Sequence, residues 1–343
     1  MNIAVVGAGI AGASAARHLS ERGHNVTLFE QFPLGHDRGS SHGRSRIVRR
    51  AYPDGFYTRC MQEAYPMWSE LERASGEHIL HEVGLLYFGL DSSPQVNSVE
   101  EGLRELDVPY ERLGASQVHD RFPSFLLNDN ESGVFTPEAG WVSADRAVAA
   151  TTMLAIEAGC RVIEKRVSRD EVAGYDKVIV CAGSWIKEWW PEAPVVISLQ
   201  TFAHIGGNLS GPVWIADSEK VGSFTLYGIP SEGGSFKIGV HDRGPEVDPN
   251  IQTREPQPEC LNQILDFAVG RFGVAHPEIT LAKGCLYTNT ENEDFLIHQA
   301  DAQMVVASAC SGHGFKFGPW FGKLLADVVE DREDLASYCR FMA

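Results

Sequence analysis

The chain has no excess of positive charge. Its 343 residues carry 29 Lys plus Arg against 46 Asp plus Glu, a formal charge of −17. Such a surface repels phosphate backbones and anionic headgroups, which argues against nucleic-acid and membrane-surface roles. Paired cysteines are missing too. The seven (Cys60, Cys160, Cys181, Cys260, Cys285, Cys310 and Cys339) are odd in number, scattered and never spaced CxxC. That argues against a disulfide framework or a zinc site and suits a reducing compartment. No apolar run reaches membrane length. The opening MNIAVVGAGIAGASAA lacks a basic leader and is broken by glycines, so it does not read as a secretory signal. The final RFMA is no peroxisomal tripeptide. The expectation is a cytoplasmic protein with no metal, no nucleic-acid partner and no membrane partner. Repeats, low-complexity tracts and linkers are also absent, so the length suits a large two-part domain or two interlocked domains.

What is present is a βα pattern at both ends. NIAVVGAG is a β-branched run ending in glycine, IAGASAARHLSERG has helical spacing and stops at glycine, and HNVTLFE is a second strand. In FYTRCMQEAYPMWSELERASG, residues Tyr57, Met61, Ala64, Trp68 and Leu71 share a helical face, and Pro66 is expected to kink the helix. VGLLYFGL and DKVIVCAGSW read as strands, and SADRAVAATTMLAIEAG as a helix with Ser143 as its N-cap. GSFTLYGIP and GSFKIGVH flank SEGG as an antiparallel hairpin. MVVASACSGHGFKFG is a strand followed by a glycine-rich loop, and PWFGKLLADVVED is a helix with Pro319 near its start. Parallel pieces at the ends and antiparallel strands between them predict an α/β class (α+β overall). The chain should cross between two domains more than once.

Gly7-Ala8-Gly9-Ile10-Ala11-Gly12 follows a strand, opens a helix, and precedes a strand ending at Glu30, 18 positions after Gly12. That is the dinucleotide fingerprint in its proper context. Gly7 makes the turn, Gly9 lets the backbone approach a pyrophosphate, and Gly12 lets helix pack on strand. Ile10 and Ala11 begin the helix whose N-terminus takes the phosphate, and Glu30 accepts ribose hydroxyls. The motif does not choose between FAD and NAD. A second cluster is SSHGRSRIVRRAY, with Arg44, Arg46, Arg49 and Arg50 inside seven residues. It is either a solvated loop or a half-buried guanidinium aimed at a carboxylate. In SGHGFKFG the glycines around His313 allow close approach to a ligand, and Lys316 lies between two phenylalanines. Lys316 either snorkels or meets an anion in an apolar pocket. Lys237 shares a strand face with Ser235, Gly239 and His241, which alone reads as a solvated face. Cys285 alone reads as a core thiol.

Five segments, VVGAGIAGASAARHL…FE, GSSHGRSRIVRRAY, YGIPSEGGSFKIGVH, CLYTNTENEDFLI and SGHGFKF, run in this order from end to end. Together they resemble the monomeric sarcosine oxidase, N-methyltryptophan oxidase and L-pipecolate oxidase family of FAD-dependent amine oxidases. The resemblance implies a Rossmann-like FAD-binding domain (residues 1–80, 140–194 and 288–343). Interleaved with it is a substrate domain (81–139 and 195–287) on an antiparallel or mixed sheet. It implies FAD joined to Cys285 as an 8α-S-cysteinyl thioether. Arg49 and Lys316 match the pair on the substrate carboxylate. Arg46 and Ser45 match residues beside the flavin ring, with Ser40, His42, Gly312, His313, Gly314, Phe315 and also Lys316 among the cofactor contacts. Lys237 matches the lysine that assists oxygen activation near flavin N5. Tyr227, His241 and Tyr287 match the lining of the substrate pocket.

The reaction implied is oxidation of a secondary or N-methyl L-amino acid (sarcosine, pipecolate, proline or a relative) to an imine. Dioxygen is the second substrate and hydrogen peroxide the product. The alternatives are a flavin-dependent amino-acid dehydrogenase, a dedicated biosynthetic imine or amine oxidase using a non-standard substrate, and a degenerate flavin-binding protein used for binding or regulation. A monomer is expected. The sequence departs from the family pattern at Ala309-Cys310, where glycine and a bulky aromatic are usual, at His298, where aspartate is usual, and in a shortened segment after RVIEK.

Overall fold

The N-terminal βαβ pattern forms as its spacing predicts. The strand Asn2–Val6 leads through the glycine turn into the helix Ile10–Glu21, and the strand Asn25–Glu30 follows. The helix is rich in alanine because another helix, Gly318–Val329, lies hard against it. A Cβ on Gly322 would come within 2.6 Å of the Ala15 nitrogen, so only small residues permit this approach. These elements belong to a computed structural model that describes residues 1–217, 225–241, 244–251, 253–333, 338 and 341. Gly222–Phe224 of the expected hairpin, and Cys339, lie outside the described residues.

Three sheets organise the chain. The first has six strands, in the order Leu296–Gln299, Met304–Ser308, Lys177–Val180, Asn2–Val6, Asn25–Glu30 and Arg161–Glu164. Its first pair is antiparallel and the other neighbours are parallel. The central strands are continuous apolar runs because helices cover one face and further structure the other. The second sheet has eight strands. Their order is Ile279–Asn289, Val196–Gly206, Ser235–His241, Thr225–Glu232, Val213–Ala216, Leu85–Leu90, Glu131–Thr136 and Glu111–Gly114. Only the pairing of Val213–Ala216 with Leu85–Leu90 is parallel. A small third sheet joins Arg46–Val48, Gly140–Val142 and Leu80–Glu82. The architecture is mixed α/β with a Rossmann-like parallel sheet. The chain enters the large sheet at Leu85, leaves after Thr136, returns at Val196 and leaves again after Asn289.

The helix Gly55–Ser75 ties this frame to the site. Asp54 caps it by accepting a hydrogen bond from the Phe56 N–H at 2.9 Å, and Gly76 ends it in the left-handed region. Tyr57, Met61, Ala64, Trp68 and Leu71 are all buried, as their spacing predicts. The helix continues past Pro66 to Ser75 as one element. The expectation at Ser143 holds for its position and not for its side chain. Ser143 occupies the N-cap position of the helix Ala144–Glu157, but its side chain caps nothing. Its hydroxyl lies 3.2 Å from His81 Nε2 instead. Among the described residues no helix is long and apolar enough to cross a membrane.

Candidate active site

At the glycine turn, Gly7 has φ +98°, and its N–H donates to the Phe29 carbonyl at 2.7 Å. A Cβ on Gly12 would collide with the Gly7 carbonyl, so helix and turn meet only without a side chain there. Glu30 ends the next strand, almost fully buried. Burial alone would raise its pKa, but His36 and the N–H groups of Ala8 (2.9 Å) and Phe32 (3.1 Å) hold it below the usual carboxylate range. The result is an ionised acceptor beside a helix N-terminus, with Gly9, Ile10 and Ala11 exposed to the same hollow.

That hollow is a cavity of about 810 Å³ running from the glycine turn to the face of the eight-stranded sheet. Register decides which side chains meet it. Gln200 pairs with Cys285, Ile229 with Lys237, Tyr227 with both Gly239 and Ile215, and Ile215 with Tyr87. Directly paired residues share a face, so residues distant in sequence form one wall. Lys237 is 6% exposed, its Nζ 4.4 Å from the Phe202 ring centre and 5.8 Å from that of Tyr227. Burial and then the Arg46 charge lower its pKa to about 7, against an opposing influence of Cys285. The solvated-face reading of Lys237 is therefore wrong. Tyr227 and Tyr287 share a hydrogen bond, and burial raises both phenols above their ordinary range. His241 stands beside Tyr287, ring centres 5.7 Å apart, with Nε2 3.8 Å from Glu293.

The arginine cluster divides. Arg44 is exposed; Arg50 pairs with Glu138 and lies 4.8 Å over the Tyr65 ring. Arg46 and Arg49 turn into the cavity. Arg46 is pinned by three carbonyls, those of Ser45 (2.9 Å), Ser40 (2.9 Å) and His42 (2.6 Å), with its guanidinium 5.7 Å from the Phe315 ring centre. This fixes a cation without neutralising it. Arg49 lies 3.8 Å over the Tyr52 ring, and its Nη1 is buried with no hydrogen-bond partner. A buried unpaired guanidinium nitrogen is costly unless a ligand meets it.

Lys316 does not snorkel. It is buried, and its Nζ donates to Tyr52 Oη at 2.9 Å and to the His313 carbonyl at 2.6 Å. Burial, then Arg49, push its pKa well below the ordinary value. Trp68 Nε1 donates to the Lys316 carbonyl at 2.9 Å and fixes the turn from below. Gly312, at φ +75°, leaves room for Tyr287 and His241, whose Cε1 would be 2.8 Å from a Cβ there.

The remaining expected residues also line the cavity. His42, Ser45, Cys285, Gly312, Gly314 and Phe315 face it. Ser40, which also lines it, donates its hydroxyl to the Leu286 carbonyl at 2.6 Å. His42 Nε2 is buried without a partner, and burial followed by Arg46 lowers its pKa to about 3. Cys285 is buried but is not merely a core thiol, since it sits on the cavity wall. Cys310 lies on the wall as well, its sulfur accepting from the Thr288 N–H at 3.2 Å and its thiol pKa raised by burial. His298 stacks on Trp190, ring centres 4.1 Å apart, away from the cavity. Sequence reasoning missed Tyr52, Gln200, Phe202 and Tyr87 as site residues. Tyr52 had a signal, an aromatic three positions after Arg49; the others depend on register.

The glycine cradle and the ionised Glu30 match one half of a dinucleotide, and the long cavity with its cation-lined far end leaves room for the other half. Residues 2–328 match the DAO family, described as FAD dependent oxidoreductase. The chain belongs to that family. Its cofactor is FAD, and it is an oxidoreductase. N-methyl-L-tryptophan oxidase of Yersinia pestis (strain Pestoides F) is 29% identical over 360 aligned positions, which cover 96% of this chain and 95% of that protein. The structure of NikD, an unusual amino acid oxidase essential for nikkomycin biosynthesis, superposes with TM-score 0.83 at 23% identity, covering 97% and 95% of the two chains. L-proline dehydrogenase from P. horikoshii gives 0.82 at 19% identity, covering 97% and 94%. These likenesses agree with the sarcosine oxidase-type resemblance, and the two structures establish the common fold.

Proposed function

We propose that this family member oxidises a secondary or N-methyl L-amino acid to the imine and passes the electrons to dioxygen, giving hydrogen peroxide. The observation that carries the reading is the unpartnered Arg49 Nη1 beside the buried Lys316, two cations at one end of a largely apolar cavity. Such a pair fits a substrate carboxylate. Bound FAD supplies the two-electron oxidation. Arg49 and Lys316 hold the carboxylate and so fix the α-carbon. Tyr227, Tyr287 and His241 exclude water from around the amine. The surrounding cations disfavour a bound ammonium and so favour the free amine. Arg46, held by three carbonyls, is a preorganised cation for negative charge developing nearby.

Lys237 supports an oxidase over a dehydrogenase, because a buried amine titrating at about 7 can hold or release a proton next to reacting oxygen. The six-stranded sheet is composed of strands from residues 1–80, 140–194 and 288–343, which supports assigning those segments to FAD. Apart from its last two residues, the eight-stranded sheet is composed of strands from 81–139 and 195–287, which supports assigning these to the substrate. Cys285, a free thiol on the cavity wall, is the proposed point of covalent attachment. If flavin stays with acid-precipitated Cys285→Ser protein, that attachment is refuted.

The test of function is the anaerobic flavin absorbance as N-methyl and cyclic L-amino acids are added singly. Rapid bleaching by one of them, reversed by air with peroxide formed, is expected. Bleaching by none would overturn the reading.

A further inference from the structure

We propose that Tyr52 and His313, steered by the Glu293 carbonyl, form a one-way hydrogen-bond chain that keeps Lys316 an ammonium and points its remaining N–H at the substrate carboxylate. This rests on the reading of Arg49 and Lys316 as the carboxylate site.

The direction of the chain follows from donor and acceptor capacity. A carbonyl only accepts, and the Glu293 carbonyl lies 3.0 Å from His313 Nε2, so Nε2 carries the hydrogen. A neutral imidazole has one N–H, so Nδ1 must accept. Tyr52 Oη is 3.1 Å from Nδ1 and donates to it. The lone pair of Tyr52 therefore faces Lys316 Nζ at 2.9 Å. The other partner of Nζ, the His313 carbonyl at 2.6 Å, also only accepts. Two acceptors strengthen when the donor is charged. Were Tyr52 free to turn its hydrogen round, Nζ would need a lone pair to receive it, and only the neutral amine has one. Two of the three ammonium hydrogens are taken, which leaves the third for a ligand.

Such a device is needed at this position. Lys316 has no carboxylate within ion-pair distance among the described residues. Burial and the neighbouring Arg49 both favour the uncharged amine. The groups facing this cluster are Arg49 and Tyr52 from the arginine segment, Cys60 and Tyr57 from the long helix, Glu293, Asp294 through its hydrogen bond from Tyr57, and His241 from the hairpin. His313 is itself kept neutral, by burial first and by the Lys316 charge second, which gives it the single-hydrogen state the chain requires. Glu293 has φ +64°, a left-handed backbone rare for a residue with a side chain, so its carbonyl is directed by local structure rather than by relaxed preference. The rings reinforce the alignment, with Tyr52 and His313 centres 5.7 Å apart and Phe295 stacked on His313 at 5.0 Å.

The test is the binding of benzoate, a carboxylate with no amine, to the flavin-loaded protein, followed through the flavin spectrum across pH. Affinity should fall as pH rises through the Lys316 pKa, because the neutral amine no longer attracts the anion. Tyr52→Phe removes the acceptor, so the fall should begin at least about one pH unit lower, a tenfold change in the charged fraction. His313→Phe lets Tyr52 turn and should shift the profile in the same direction. Lys316→Met should bind weakly at every pH. If both Tyr52→Phe and His313→Phe superpose on the parent profile while Lys316→Met is weak, the chain has no role and the carboxylate site stands. If Lys316→Met binds benzoate as the parent does, the carboxylate reading itself fails.

Discussion

The two halves of the cavity are built in opposite ways. At the glycine turn, the ligand-facing residues are close in sequence, Gly7, Gly9 and Gly12 within one turn and Glu30 one strand later, with Ser41 and Cys181 packed against them. Backbone and small residues do the work, and tolerance is minimal at Gly7 and Gly12, where a Cβ would meet backbone carbonyls at 2.3 and 1.9 Å. At the far end, Arg49, Lys237, Cys285 and Lys316 arrive from four separated segments, and sheet register and a turn decide where they meet. Here buried charge is added to backbone shape, which still matters at Gly239 and Gly312, where a Cβ would run into Tyr227 and Tyr287. A cradle made of backbone contrasts with a wall whose cations are side chains, each removable without placing a Cβ against the chain.

The sharpest way to test this contrast is Gly12→Val. The added side chain runs into the Gly7 carbonyl, so the protein should purify with essentially no FAD absorbance, or fail to fold. Flavin content near that of the parent would remove the distinction. Arg49→Ala should leave flavin content intact and raise the substrate constant by roughly 100-fold, about 3 kcal/mol for a charge-assisted bond to the carboxylate. Steady-state kinetics with the substrate found in the anaerobic panel would check it. An unchanged constant would place the carboxylate elsewhere.

Lys237→Met should retain anaerobic bleaching but restore absorbance in air at least about tenfold more slowly. The same change carries a stability signature. The unfolded chain binds the Lys237 proton below about 10.5, the folded chain only below about 7. Over that window the unfolded state holds more protons, so parent stability falls as pH is lowered and levels off below about 7. Denaturant titrations of Lys237→Met should lack that part of the slope. The smallest functional difference separates two buried tryptophans. Trp68→Ala and Trp214→Ala should each cost about 3–5 kcal/mol of stability. Only Trp68→Ala should also weaken substrate binding, because its indole N–H holds the Lys316 carbonyl, whereas Trp214 stacks on Phe267. Equal effects on the substrate constant would show that the Trp68 bond does not position the site.

Much of this molecule was legible in the sequence. The opening βαβ unit, the buried face of Gly55–Ser75 and the hairpin around Gly233-Gly234 followed from period and turn chemistry, because local spacing alone determines them. Ser143 shows the limit. A serine before a helix is a cap by propensity, yet here His81 from another strand takes the hydroxyl. Lys237 and Lys316 show it more strongly. Period-2 spacing put Lys237 with small and polar neighbours and suggested water, but the face it occupies is covered by Phe202 and the rest of the cavity wall. Tyr52 stood three positions after Arg49 in the sequence, but its role could not be read there because it depends on His313, 261 positions away.

By itself the sequence determined the dinucleotide cradle, the identity of the reactive side chains and the family pattern, because each needs only a few residues in fixed local order. The tertiary structure alone decided which arginines of a four-membered cluster face a ligand, which lysines are buried, and how one hydroxyl is oriented between an imidazole and an amine. The reason is physical. Burial, charge coupling and hydrogen-bond direction depend on atoms brought together through strand register and helix packing, and no local window of sequence contains them.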